Sequence, residues 1–336
     1  MSGIIQHFGN MSDGGTVLRI SLSKDGLHAK IITYGASLQG LQLDGHDASL
    51  VLGFPEFTPY LDYPYFGPFV GRVANRIAEA RFQIGEEVFQ TDRNERNQQT
   101  LHGGAHGISS KNWQIVHYDQ TSVTLKTTDL ESETGFPGDC EISATYRLLS
   151  DQVLELEVTA TSTKTTVCNI AHHSYFNLNG TGTILDHQMQ IFSDHYLPVD
   201  ENQIPTGEIK SLEGTPFDFR TLKIIEPQIA AELDHNFCLN SFDKKMHPAV
   251  NIISAKSGIQ MEISTSETGL QVYAGKHLDT SVPGTNGDNF SAYSGIALEP
   301  QAWPDAPNQP NFPSILLRAG QTYYQKSQFK FSKNAN

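Results

Sequence analysis

Cysteine is scarce in this 336-residue chain: only Cys140, Cys168 and Cys238, an odd number with no C-x-x-C spacing. That set gives no sign of a disulfide framework and fits a reducing compartment. Long apolar runs are missing as well; nothing approaches the stretch of about 18 apolar residues that a membrane helix needs. Residues Met1–Asn10 carry neither a basic segment nor a long apolar one, so no signal peptide is expected. Positive charge is in short supply. Lys and Arg number 23 against 37 Asp and Glu, a formal charge of −14, which argues against nucleic acid and anionic membrane as partners. The phosphate-binding G-x-x-x-x-G-K-[ST] and a G-x-G-x-x-G following a strand are absent, as are H-E-x-x-H and G-x-S-x-G. The 13 histidines do not show zinc-site spacing. A cytoplasmic protein, without cofactor or metal and working by acid–base chemistry, is the expectation.

What the chain does have is punctuation, 28 glycines and 16 prolines, with short alternating segments between them. Thr16–Ser23, Leu27–Tyr34, Ser122–Thr128, Glu141–Leu149 and Val153–Thr161 place apolar side chains on one face and polar ones on the other. That two-residue period predicts strands. Asp13-Gly14-Gly15, Lys24-Asp25-Gly26 and Leu43-Asp44-Gly45 read as tight turns. Helical windows are few; Glu226–Leu233 is the best, with Pro227 suited to a first turn. Tyr323–Phe331 reads as a terminal strand joining the same core. The expectation is an all-β fold, one large antiparallel domain of layered sheets over residues 1–336.

Six places could carry chemistry. Glu299 ends an apolar run, Gly295–Leu298, predicted as a strand, and a proline-rich loop containing Trp303 follows at once. Asn75 and Arg76, after the aromatic stretch Tyr63–Gly67, offer a fork of donors and an amide for sugar hydroxyls. They would equally make a surface arginine paired with a carboxylate. His102 precedes Gly103 and Gly104, which would let the backbone come close to a ligand, or simply form a turn. In Ala171-His172-His173-Ser174-Tyr175-Phe176-Asn177, alternation puts His173, Tyr175 and Asn177 on one polar face and Phe176 on the other. That favours His173 over His172 as a proton-transfer group; a buried, hydrogen-bonded histidine is the other reading. Asp234-His235-Asn236 could clamp a hydroxyl or merely turn the chain. Gln271 is a polar residue in a strand-like run.

Taken together, these segments resemble the aldose 1-epimerase, or galactose mutarotase, family. The resemblance runs in order through Val51–Phe54, Gly71–Ile77, Leu101–Gly104, His173–Leu178, Tyr196–Asp200, Ile204–Gly207, Asp234–Phe237 and Leu298–Pro313. It implies a many-stranded β-sandwich of the mutarotase type. It also implies that Glu299 is the general base and His173 the general acid. Asn75, Arg76, His102, Tyr175, Asp234 and Gln271 would hold sugar hydroxyls, with His102 and Arg76 helping to polarise the reacting end. Two departures from the family pattern stand out: His172 where Asn is usual before the acid, and Pro300 where Thr often follows the base. The implied reaction interconverts α and β anomers of free hexoses such as galactose and glucose. Both reacting oxygens sit on C1, so the two side chains should approach from opposite sides, at most roughly 8 Å apart. Rival expectations are a hexose-6-phosphate 1-epimerase, which would need an Arg or Lys cluster drawn from Arg72, Arg81 or Arg96, and a non-catalytic sugar-binding protein. A glycosidase would need a second carboxylate, for which Asp234 is the candidate. The resemblance implies a small aldohexose as partner, and a monomer or homodimer is expected.

Overall fold

The computed structural model of the protein describes residues 4–241 and 243–333. The first three residues of the N-terminal stretch read above therefore lie outside the description. The all-β expectation holds: among the described residues the α-helices are three four-residue turns, and none is long and apolar enough to cross a membrane. The predicted strands appear with small shifts at their ends, as Thr16–Lys24, Leu27–Ile32, Ser122–Asp129, Cys140–Leu149, Val153–Ser162 and Thr322–Lys333. Of the window Glu226–Leu233 only Pro227–Ala230 is helical, and Pro227 occupies its first turn as expected.

Three antiparallel sheets dominate. A four-stranded meander runs from Ile4–Asn10 to Ser37–Leu43. A nine-stranded sheet has Thr322–Lys333 near its middle, paired with Val153–Ser162 on one side and Ile259–Thr265 on the other. A six-stranded sheet includes, in order, Tyr175–Phe176, Ile296–Gln301, Gly269–Tyr273 and Asp234–Leu239. The six-stranded sheet turns Phe176, Leu298, Leu270 and Phe237 into a core that also takes Phe329, Phe331 and Met261 from the nine-stranded sheet. Phe176 stacks on Phe329 across the gap, centroids 5.5 Å apart. Because successive strand residues face opposite ways, the other face of the six-stranded sheet is free to carry polar groups.

The strand holding Glu299 is longer than the expected Gly295–Leu298. It runs Ile296–Gln301 and places Glu299 and Pro300 inside it. Proline is tolerated there because the pairing on one side has already stopped: Tyr175–Phe176 reaches only Ala297 and Ile296. No neighbour on that side asks Pro300 for an N–H. The loop beyond is held by Trp303, whose indole N–H donates to the Thr268 carbonyl at 3.0 Å and whose ring meets Phe312 edge-on.

Candidate active site

Strand register assembles the polar face. Asn236 lies opposite Gln271, and Gln271 opposite Glu299. One step along, Asp234 lies opposite Tyr273, Tyr273 opposite Ala297, and Ala297 opposite Tyr175. Asp234 thus sits in a strand, Asp234–Leu239, and not in a turn. The Gln271 amide donates to Asp234 Oδ1 at 2.7 Å.

His173 falls between two short strands, Ala171–His172 and Tyr175–Phe176. Its backbone is pinned to the Pro68 carbonyl and the Gly67 N–H. The alternation read in the sequence survives the break: His173 joins the site, whereas His172 packs on Phe69 and Tyr146 in the core. Asn177 does not follow His173; its amide donates to the Ser294 carbonyl. His173 Nε2 lies 3.6 Å from Glu299 Oε1. This satisfies the 8 Å limit. The two groups stand side by side and do not face each other across a gap.

The third wall comes from residues 65–104. Asn75 and His102 both adopt left-handed backbone, φ 59° and 53°. The Asn75 N–H donates to His102 Nδ1 at 3.2 Å, and the His102 N–H returns a bond to the Asn75 carbonyl at 2.9 Å. Because Nδ1 accepts, a neutral His102 carries its proton on Nε2 and presents a donor. The glycines after it lie at a turn, the second of the two readings, and a Cβ on Gly103 would meet the Gly71 carbonyl oxygen at 1.9 Å, a close approach to the chain's own backbone. Arg76 pairs with a carboxylate, one of the two readings the sequence offered. Its guanidinium grips Glu95 with two bonds of 2.8 and 2.9 Å, and it also borders the site.

Sequence reasoning missed Glu95, Tyr65 and Tyr273. Tyr65 covers His102 and His173, ring centroids 4.8 and 5.7 Å away; the aromatic stretch Tyr63–Gly67 was the available signal. It also missed that His102, His173 and Glu299 bring ligand-type atoms within 4.8 Å of one another. That triad has the composition of a metal site, but the proton fixed on His102 Nε2 would have to leave first. Arg72, a candidate for phosphate, is fully buried and paired with Asp129 at 2.7 Å.

Burial sets the charge states. It raises the Glu299 carboxyl well above its usual range, and the nearby Asp234 charge adds to this while Arg76 opposes it. Burial lowers His173 to about 4, with the carbonyls of His173 and Tyr65 pulling the other way. It takes His102 well below the ordinary imidazole value, helped by His173 and Arg76. Asp234 is raised by burial against the pull of Arg76 and Gln271. A groove of about 500 Å3, lined among others by Arg76, Glu95, Asp234 and Tyr273, leads up to this cluster and stops short of His173 and Glu299.

Known proteins are similar to nearly the whole chain. A family model described as Aldose 1-epimerase matches residues 18–330. Galactose mutarotase of Rattus norvegicus is 40% identical over 338 residues, 97% of each chain. Aldose 1-epimerase of Haemophilus influenzae is 33% identical over 337 residues, 96% of this chain and 98% of its own. The solved structure of an aldose epimerase homologue from C. elegans matches at TM-score 0.87 with 30% identity, over 94% of this chain and 99% of that one. Galactose 1-epimerase from Lactobacillus acidophilus matches at 0.86 with 27% identity over all of both chains. With sequence and fold agreeing almost end to end, the chain belongs to the aldose 1-epimerase family.

Proposed function

We propose that this protein is a mutarotase that interconverts the α and β anomers of free hexoses such as galactose and glucose, with Glu299 as base and His173 as acid. The observation that carries the reading is the 3.6 Å contact between these two buried groups. Ring opening removes the proton from the C1 hydroxyl to the Glu299 carboxylate. The O1 electrons form the carbonyl, the C1–O5 pair goes to O5, and O5 takes the proton of His173. Rotation about C1–C2 then offers the other face of the carbonyl. Reclosure reverses both transfers.

The proton count explains why burial does not defeat this scheme. The pair needs one proton in all. Before opening it is a carboxylate beside an imidazolium; after opening it is a carboxylic acid beside a neutral ring. Both arrangements are neutral overall, so the desolvated site meets no net charge in either. Burial favours the second arrangement in the free enzyme, and passing the proton to His173 prepares the pair for a cyclic sugar. His102, as an Nε2–H donor, would polarise the reacting end together with Arg76, which Glu95 holds in place. Asn75, Tyr175, Asp234 and Gln271 would hold hydroxyls, Gln271 orienting Asp234. We further read residues 1–336 as one domain and the protein as a cytoplasmic monomer or homodimer. The last strand, paired into the middle of the nine-stranded sheet, supports one domain, and the three free cysteines support a reducing compartment.

Polarimetry tests the assignment. Glu299→Gln and His173→Asn should each lower the enzyme-catalysed rate by about 10²–10⁴ or more while the circular dichroism stays native. A folded variant with full activity would remove the role given to that residue.

A further inference from the structure

The chain's two departures from the family pattern, His172 and Pro300, lie 128 positions apart yet meet behind the catalytic pair. Each is the chain neighbour of a proposed catalytic residue and points to the opposite face. His172, Gln325 and Ser327 give the polar lining of a cavity of about 10 Å3, whose other walls are apolar, Pro300, Phe69 and Phe329 among them. Its size suits one water molecule.

The polar groups around it are incompletely matched. His172 is 4% exposed and neither ring nitrogen makes a hydrogen bond. The Gly67 carbonyl lies near the ring without meeting hydrogen-bond geometry. A neutral imidazole has one donor and one acceptor to satisfy, and buried polar groups are rarely left unpaired. Gln325 donates its amide to the Pro300 carbonyl at 2.7 Å, and its side-chain carbonyl oxygen is an acceptor by chemistry. The Ser327 hydroxyl shares one bond with Thr265 at 2.8 Å and keeps further capacity. Pro300 has no N–H, and the strand beside it has ended, so the Gln325 side chain supplies the cross-link that a ladder would supply elsewhere.

We propose that this cavity is a water site, and that the chain His172–water–Gln325–Pro300 carbonyl fixes the separation of His173 and Glu299. The inference rests on the reading of those two residues as acid and base. His172 and Gln325 are positioning residues; they act through their neighbours and do not touch the sugar. The water joins the back of the acid to the back of the base through the central strand of the other sheet.

A crystal structure of the wild-type protein at a resolution that shows ordered water should place one water within hydrogen-bond distance of a His172 ring nitrogen and of Gln325 or Ser327. In polarimetry, His172→Phe and Gln325→Leu should each lower kcat at least about tenfold, the scale of a small misplacement of reacting groups, with KM for galactose unchanged. The double variant should be no slower than the slower single one, because both cut the same route. His172→Asn, which keeps a donor and an acceptor, should retain most of the rate. A dry cavity, or unchanged kcat in His172→Phe and Gln325→Leu, would overturn the proposal. Glu299→Gln measured alongside separates the two levels. If it is inactive while the cavity variants are unaffected, only the positioning network fails; if it is active, the acid–base reading fails.

Discussion

A proton shared between Glu299 and His173 fixes how the rate responds to acid. As pH falls, a second proton enters the pair at His173, lowered by burial to about 4. With both groups protonated no base remains, so activity is lost on the acid side of that value. The kcat/KM for mutarotation, with the uncatalysed rate subtracted, should therefore fall with a midpoint near 4; a midpoint at the ordinary imidazole value of 6.5 would contradict the buried pair. His173 was legible in the sequence because alternation along Ala171–Asn177 separates it from His172 even though the strand breaks between them. The partner of Arg76 was not. Glu95 lies 19 positions away across a loop, and such pairing leaves no periodic trace.

At the scale of elements, long strands were readable because their two-residue period persists over six or more positions, as in Val153–Ser162. Pairs such as Tyr175–Phe176 are too short to show a period, and they are the pieces that frame the site. The extension of the Glu299 strand through Pro300 was hidden for another reason: proline argues against a ladder unless the missing neighbour is known. At His102–Gly104 the sequence offered a close approach to a ligand or a simple turn, and the contact of Gly103 with the Gly71 backbone left no mark in it. The structure supplies a prediction. Gly103 has φ +87°, and an added methyl would overlap the Gly71 carbonyl. Gly103→Ala should cost about 2–4 kcal/mol in equilibrium urea unfolding, from the backbone strain and overpacking combined. A loss below about 1 kcal/mol would mean that the turn relaxes freely.

For the whole molecule, the buried histidines tie folding to pH. His172 drops to about 3 in the fold from the ordinary 6.5, chiefly by burial, so between those values the unfolded chain binds a proton that the folded one refuses. Its contribution is intact above pH 6.5 and is lost as pH falls toward 3. Relative to His172→Asn, which has nothing to titrate, the wild-type protein should lose at most about 1.4 kcal/mol per pH unit through that window. Parallel stability-versus-pH curves for the two proteins, from urea unfolding, would refute a neutral His172. The Phe176–Phe329 contact carries a last consequence. Phe176 adjoins Tyr175 of the site, and Phe329 sits on the same strand as Gln325. Chemistry and cohesion thus occupy neighbouring residues of the same strands. Heating this enzyme should end its activity and its cooperative structure at one temperature, with no inactive but still folded stage on the way.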